Sequence, residues 1–188
     1  MVMMLLGLVV FVGTHVVASM RGLRARLIAS VGEGPYKGYF SLLAAGGVAL
    51  TAYGYLLWRA SGPAVIWDPP LALRHVTLLL MLLASIVGVS AFVPSHIRTA
   101  LKHPLLVAVK TWAFAHLLAN GDAASMVLFG AVLAWAVYDR IAMARRGTKI
   151  PPAPAGWTGD ALAVGGGVVL YAFLAFLFHP YVIGVPVM

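Results

Sequence analysis

The chain has 188 residues, of which 62% are hydrophobic and 10% charged, and its mean hydropathy is +0.98. Soluble domains carry about 25% charged residues, so this composition excludes that class and points to an integral protein of the lipid bilayer. Cysteine is absent, which excludes disulfides, thiolate metal sites and a cysteine nucleophile.

Taken in chain order, six apolar segments approach the roughly 20 residues that a bilayer core requires. They run over about 2–20, 38–60, 72–93, 104–120, 122–142 and 160–179. The first has no basic residue ahead of its apolar run and is followed by Arg21, Arg24 and Arg26, so it reads as a retained helix rather than a cleaved signal. Breaks fall at Gly32 to Pro35, at Ser61-Gly62-Pro63 with Pro69-Pro70, and at Pro94-Ser95. Pro104 suits the first turn of the fourth helix, where its missing N–H costs nothing. Asn120-Gly121-Asp122 is a turn tripeptide that predicts a tight hairpin between the fourth and fifth helices. The run Pro151-Pro152-Ala153-Pro154 precedes the sixth. The expected fold is all-α, a polytopic membrane bundle of about six helices in one domain.

The formal charge of +8 is spread over short inter-helix segments, which argues against a nucleic-acid partner. Arg21, Arg24, Arg26, Lys37, Arg98, Lys102, Arg140, Arg145, Arg146 and Lys149 follow the first, third and fifth helices. The alternate loops hold only Arg59 and Arg74, and Lys110 sits inside helix four, from where it reaches toward the basic side. By the positive-inside rule the basic loops face the cytoplasm and both termini lie outside.

Polar residues at membrane depth then carry the information. His15 in helix one and His116 in helix four each lie ~18–20 Å inside the bilayer by helical rise. His75, His96, His103 and His179 fall at helix ends or in loops. An ionisable group in the core marks function by default, while the plainer reading is an inter-helix hydrogen bond that fixes packing. For the pair, a shared iron is favoured, because neutral imidazoles take axial positions on a porphyrin. No carboxylate lies at matching depth for a zinc or di-iron centre.

Phe11, His15 and Ser19 recur every four residues with Gly7 on one stripe, and Trp112, His116 and Asn120 share one face. Ser19 and Asn120 are placed to orient an imidazole ring; Phe11 and Trp112 are placed either to stack on a flat cofactor or simply to pack. A second cluster, His96, Arg98, Lys102 and His103, reads as a solvated basic loop, with lipid headgroups or haem propionates as the sharper alternative. His75 and His179 near the outer face offer a further metal site only if their helices adjoin.

The stretches GTHVVASMRGLR (13–24) and HPLLVAVKTWAFAHLLANGD (103–122) resemble the NnrU family of bacterial membrane proteins. The same domain occurs in the 15-cis-zeta-carotene isomerase of plants and cyanobacteria. The resemblance spans essentially the whole chain. It implies a multi-pass protein of the bacterial inner membrane, with periplasmic termini, associated with nitrite and nitric oxide reduction. Through the isomerase branch it also implies haem b held by histidines, which correspond to His15 and to His116 in the WAxAH motif. That branch has a cysteine three residues before the second histidine, where this chain has Ala113, so thiolate ligand switching is closed to it.

Three functions follow as expectations. The first is a haem-bearing redox or accessory component of denitrification, meeting a redox partner; a six-coordinate bis-histidine iron suits electron transfer. The second is a haem-dependent cis–trans isomerase of a hydrophobic polyene, for which Gly46, Gly47, Ser85 and Gly88 make a lateral opening possible. The third is a non-haem transporter or assembly factor; three plus three helices permit an inverted repeat, without matching broken helices.

Overall fold

A computed structural model describes residues 1–147 and 152–187, so Lys149 and Pro151 lie outside the described residues. The described chain is all-α. The helices are α1 (Val2–Ser19), α2 (Arg21–Val31), α3 (Glu33–Ala60), α4 (Ala72–Ser90), α5 (His96–Leu101), α6 (Pro104–Ala119), α7 (Ala123–Arg146) and α8 (Thr158–Phe173). A π-helical segment, Leu174–Ile183, continues α8. Five described helices are long and apolar enough to cross a membrane: Val2–Ser19, Glu33–Ala60, Ala72–Ser90, Ala123–Arg145 and Thr158–Ile183. The sixth expected crossing, α6, is apolar but has only 16 residues, about 24 Å of helix. Large apolar side chains such as Val9, Leu42, Leu79 and Val169 remain exposed, as expected of helices whose outer faces meet lipid.

The chain divides into two compact units, 1–69 with 120–146 and 70–119 with 147–188. Each contains three long helices: α1, α3 and α7 in the first, α4, α6 and α8 in the second.

In the first unit, α1 lies directly on α3 because small residues remove the side chains that would hold them apart. A Cβ on Gly47 would come within 2.8 Å of the Phe11 amide nitrogen, and a Cβ on Gly54 would collide with the backbone of Met4. Gly47 is therefore committed to helix packing and not to a lateral opening; Gly46 has open space around it. Thr51 returns its hydroxyl to the Gly47 carbonyl at 2.7 Å, which satisfies the one polar group buried in this seam. The segment expected to be a loop after helix one is the basic helix α2, none of whose residues is buried. It ends at Gly32, whose φ of +86° only glycine adopts readily. Pro35 lies just inside α3 instead of breaking it, since the first turn has N–H groups without partners anyway.

The tripeptide Asn120-Gly121-Asp122 is the crossing from the second unit to the first: α6 packs with α4, and α7 with α1 and α3. Its partner is the extended stretch after α3. Ile66 N–H donates to Gly121 O at 2.7 Å and Ala123 N–H to Ala64 O at 2.8 Å, around an antiparallel bridge of Val65 with Asp122. Gly121 is required there because a Cβ would strike the Trp67 carbonyl.

In the second unit α4 is the central helix, flanked by α6 and α8. Gly167 of α8 sits against the backbone of Ile86, where a Cβ would not fit, and Thr77 of α4 donates to Ala115 O of α6 at 3.2 Å. Ala113 and Ala115 are fully buried. Pro104 opens α6, as its missing N–H predicts.

Candidate functional site

His15 stands on α1 within a ring of aromatic side chains. Its ring centre lies 4.3 Å from Phe11, 4.8 Å from Trp135 of α7 and 5.1 Å from Phe40 of α3. His15 Nδ1 lies 2.8 Å from the Phe11 carbonyl one turn earlier. A carbonyl only accepts, so Nδ1 carries the proton and Nε2 keeps the lone pair. The group that orients the ring is thus a backbone carbonyl. Ser19 instead donates to Val16 O at 2.7 Å and meets the Tyr138 hydroxyl of α7 at 3.2 Å.

Trp135 adds an unusual feature. Its Nε1–H is buried with no hydrogen-bond partner among the described residues. The same indole closes an apolar groove of about 590 Å³ whose walls include Leu8, Val12 and Val16 of α1 with Val127 and Ala131 of α7.

His116 repeats the local geometry of His15 in the second unit. Its Nδ1 lies 2.8 Å from the Trp112 carbonyl, again one turn back, so Nε2 is the lone-pair nitrogen. Trp112 sits beside the ring at 5.0 Å between centres and 49° between planes. Asn120 falls in the turn after α6, at the first residue assigned to the other unit. Ala113 is fully buried, so nothing beyond a methyl group is presented there.

Sequence reasoning left His179 at a helix end. The structure instead places its ring 6.2 Å from that of His116, with the two planes 25° apart. His179 belongs to the π-helical continuation of α8, and its Nδ1 lies 2.8 Å from Leu174 O five residues earlier. It is therefore a third imidazole tied at Nδ1 to a backbone carbonyl. Pro180 explains the wide coil: it has no N–H, and its ring presses on the preceding turn unless that turn opens. The segment closes at Gly184, φ +75°, with Val185 N–H donating to His179 O at 3.1 Å. The sixth apolar segment, taken to end at residue 179, puts this histidine at a helix end. The usable clue was the apolar run that continues past it to Val187, since proline is tolerated inside membrane helices.

Each unit also holds a polar cluster. Asp160 Oδ2 accepts from His96 Nδ1 at 2.7 Å and from His96 N–H at 3.2 Å, and Asp160 Oδ1 accepts from Ile97 N–H at 3.1 Å. Trp157 lies over His96 at 4.3 Å. His96 thus pins the start of α5 to the start of α8. In the first unit Asp122 caps α7, accepting from Ser125 N–H at 3.0 Å and Ser125 Oγ at 2.6 Å. Tyr55 meets that hydroxyl at 2.8 Å, and Arg59 reaches Tyr55 at 3.2 Å and Asp122 at 4.0 Å.

Among the described residues no group of three or more His, Asp or Glu is arranged to hold a metal ion. A porphyrin supplies four nitrogens itself and asks the protein for only one or two imidazoles. Imidazoles anchored at Nδ1 to backbone carbonyls fit that group.

No curated protein and no solved structure matches the chain. One family model does, described as NnrU protein, and it matches residues 3–187. With nearly every residue covered, from the start of α1 to beyond the π-helical segment, this multi-pass helical membrane protein belongs to the NnrU family.

Proposed function

We propose that the protein binds haem b within the membrane and serves nitrite and nitric oxide respiration as a redox or accessory component. His116 is one imidazole for the iron; His15, in the other unit, carries the same Nδ1 anchoring. The observation that carries the reading is the repeated anchoring of intramembrane histidines: each gives Nδ1–H to a carbonyl of its own helix, at 2.8 Å, so that Nε2 is the nitrogen a metal would take. A hydrogen bond to a carbonyl also raises the basicity of the ligating nitrogen. When bound, haem iron supplies one-electron transfer. Around it the chain's residues exclude water and fix the rings. The reading places the protein in the bacterial inner membrane with its termini in the periplasm, supported by the basic residues of the loops after the first, third and fifth apolar segments.

An absorption spectrum of detergent-purified protein, oxidised and reduced, tests it. Wild type is expected to show haem b bands that His116→Ala loses. A wild type that stays colourless after expression with ample haem overturns the reading.

A second function, cis–trans isomerisation of a carotenoid on the same haem, is favoured by one observation. The apolar groove between α1 and α7 has walls suited to a polyene and touches the Trp135 ring beside His15. Ala113 in place of the relatives' cysteine weighs against it. Co-expression with a producer of poly-cis carotenes decides between the two: isomer conversion supports the isomerase, and full haem loading without conversion supports the respiratory role.

A further inference from the structure

We infer that His179 is a metal ligand, standing opposite His116 on one iron. The inference rests on the haem reading and names the partner ligand that the second unit builds by itself.

Two imidazoles bound through Nε2 on opposite sides of one metal have ring centres about 6.2 Å apart, given a metal–nitrogen distance of about 2.0 Å and about 1.1 Å from nitrogen to ring centre. The observed separation is 6.2 Å. Direct stacking is not what holds the rings apart at that distance, since contacting planes approach far closer. Both rings have Nδ1 committed to backbone carbonyls, Trp112 O and Leu174 O, so Nε2 is the nitrogen left in each for a metal to take. The π-helical turn is the third element. It sets His179 on a register that an α-helix through Pro180 would not keep, and such turns recur at functional sites. His15, by contrast, is surrounded by Phe11, Phe40 and Trp135 and has no histidine among its ring neighbours.

The ring planes carry a spectroscopic consequence. Parallel axial imidazoles donate into the same iron d orbital and split it from its partner; perpendicular ones leave the two nearly degenerate. An angle of 25° therefore implies an ordinary rhombic low-spin ferric signal in electron paramagnetic resonance, not the strongly axial signal of crossed rings.

The test uses the full-length, haem-loaded protein in detergent, with wild type, His179→Ala and His15→Ala compared by optical and paramagnetic resonance spectra. Wild type is expected to be low-spin and rhombic. His179→Ala should lose the low-spin signal, turn high-spin and regain the low-spin form on adding free imidazole, which also shows that the variant is folded. His15→Ala should keep the wild-type spectrum. A low-spin His179→Ala protein, or loss of the low-spin form in His15→Ala alone, overturns the pairing while the haem reading stands. A wild type without haem overturns both.

Discussion

The two units treat their intramembrane histidines differently. In the first, His15 sits among three aromatic rings contributed by α1, α3 and α7, beside an indole N–H that has no partner among the described residues. In the second, the ring of His116 lies 6.2 Å from a second imidazole, that of His179. The local motif is the same in both, a ring tied to the carbonyl one turn earlier. What differs is the chemistry of the surroundings. Aromatic rings enclose one histidine; a second imidazole lies beside the other. Similar sequence contexts therefore do not imply equal roles, and only the packing separates them.

Four substitutions break or sharpen that contrast, in falling order of effect. His116→Ala removes one half of the imidazole pair and should lower haem retention by more than the roughly 10–100-fold typical of losing an outer-shell partner; pigment retained through gel filtration measures it. Gly47→Leu attacks the first unit, where a side chain meets the Phe11 backbone. It should cost about 1–3 kcal/mol or more by overpacking, seen as a lower thermal midpoint in detergent. Trp135→Phe keeps the ring beside His15 but deletes the orphaned N–H. Without ligand it should be neutral or stabilising by about 1 kcal/mol, since a buried donor without a partner is costly. The thermal midpoint in detergent checks it. Asp122→Ala removes the α7 cap and should cost about 1 kcal/mol, a control that leaves the haem spectra of both units' histidine variants in the same order.

Much of the fold was legible because membrane helices announce themselves by length and hydropathy. The break at Gly32, the opening proline of α6 and the turn at Gly121 each have a local steric cause that the sequence carries. Helix ends were less legible. The α2 segment was read as a loop because its basic residues lack an apolar face. The reading of Asn120-Gly121-Asp122 as a hairpin missed that its hydrogen bonds go to residues 64–67, a pairing no local signal encodes. Within the site, His15 and His116 stood out as polar groups in apolar runs, and their contacts with Phe11 and Trp112 follow from helical spacing. The contact of His179 with His116 depends on how α6 and α8 pack around α4, and on a coil widened at Pro180; sequence spacing contains neither.

The division into units also sets an order in time. The first unit needs α7, yet α4 and α6 are synthesised before it, so α1 and α3 must wait in the bilayer as an incomplete pair while the other unit's helices pass. Through that interval Tyr55 and Arg59 lack Ser125 and Asp122, and Trp135 has not yet reached His15. The first histidine of the chain to be made is therefore enclosed only once the seventh helix has arrived.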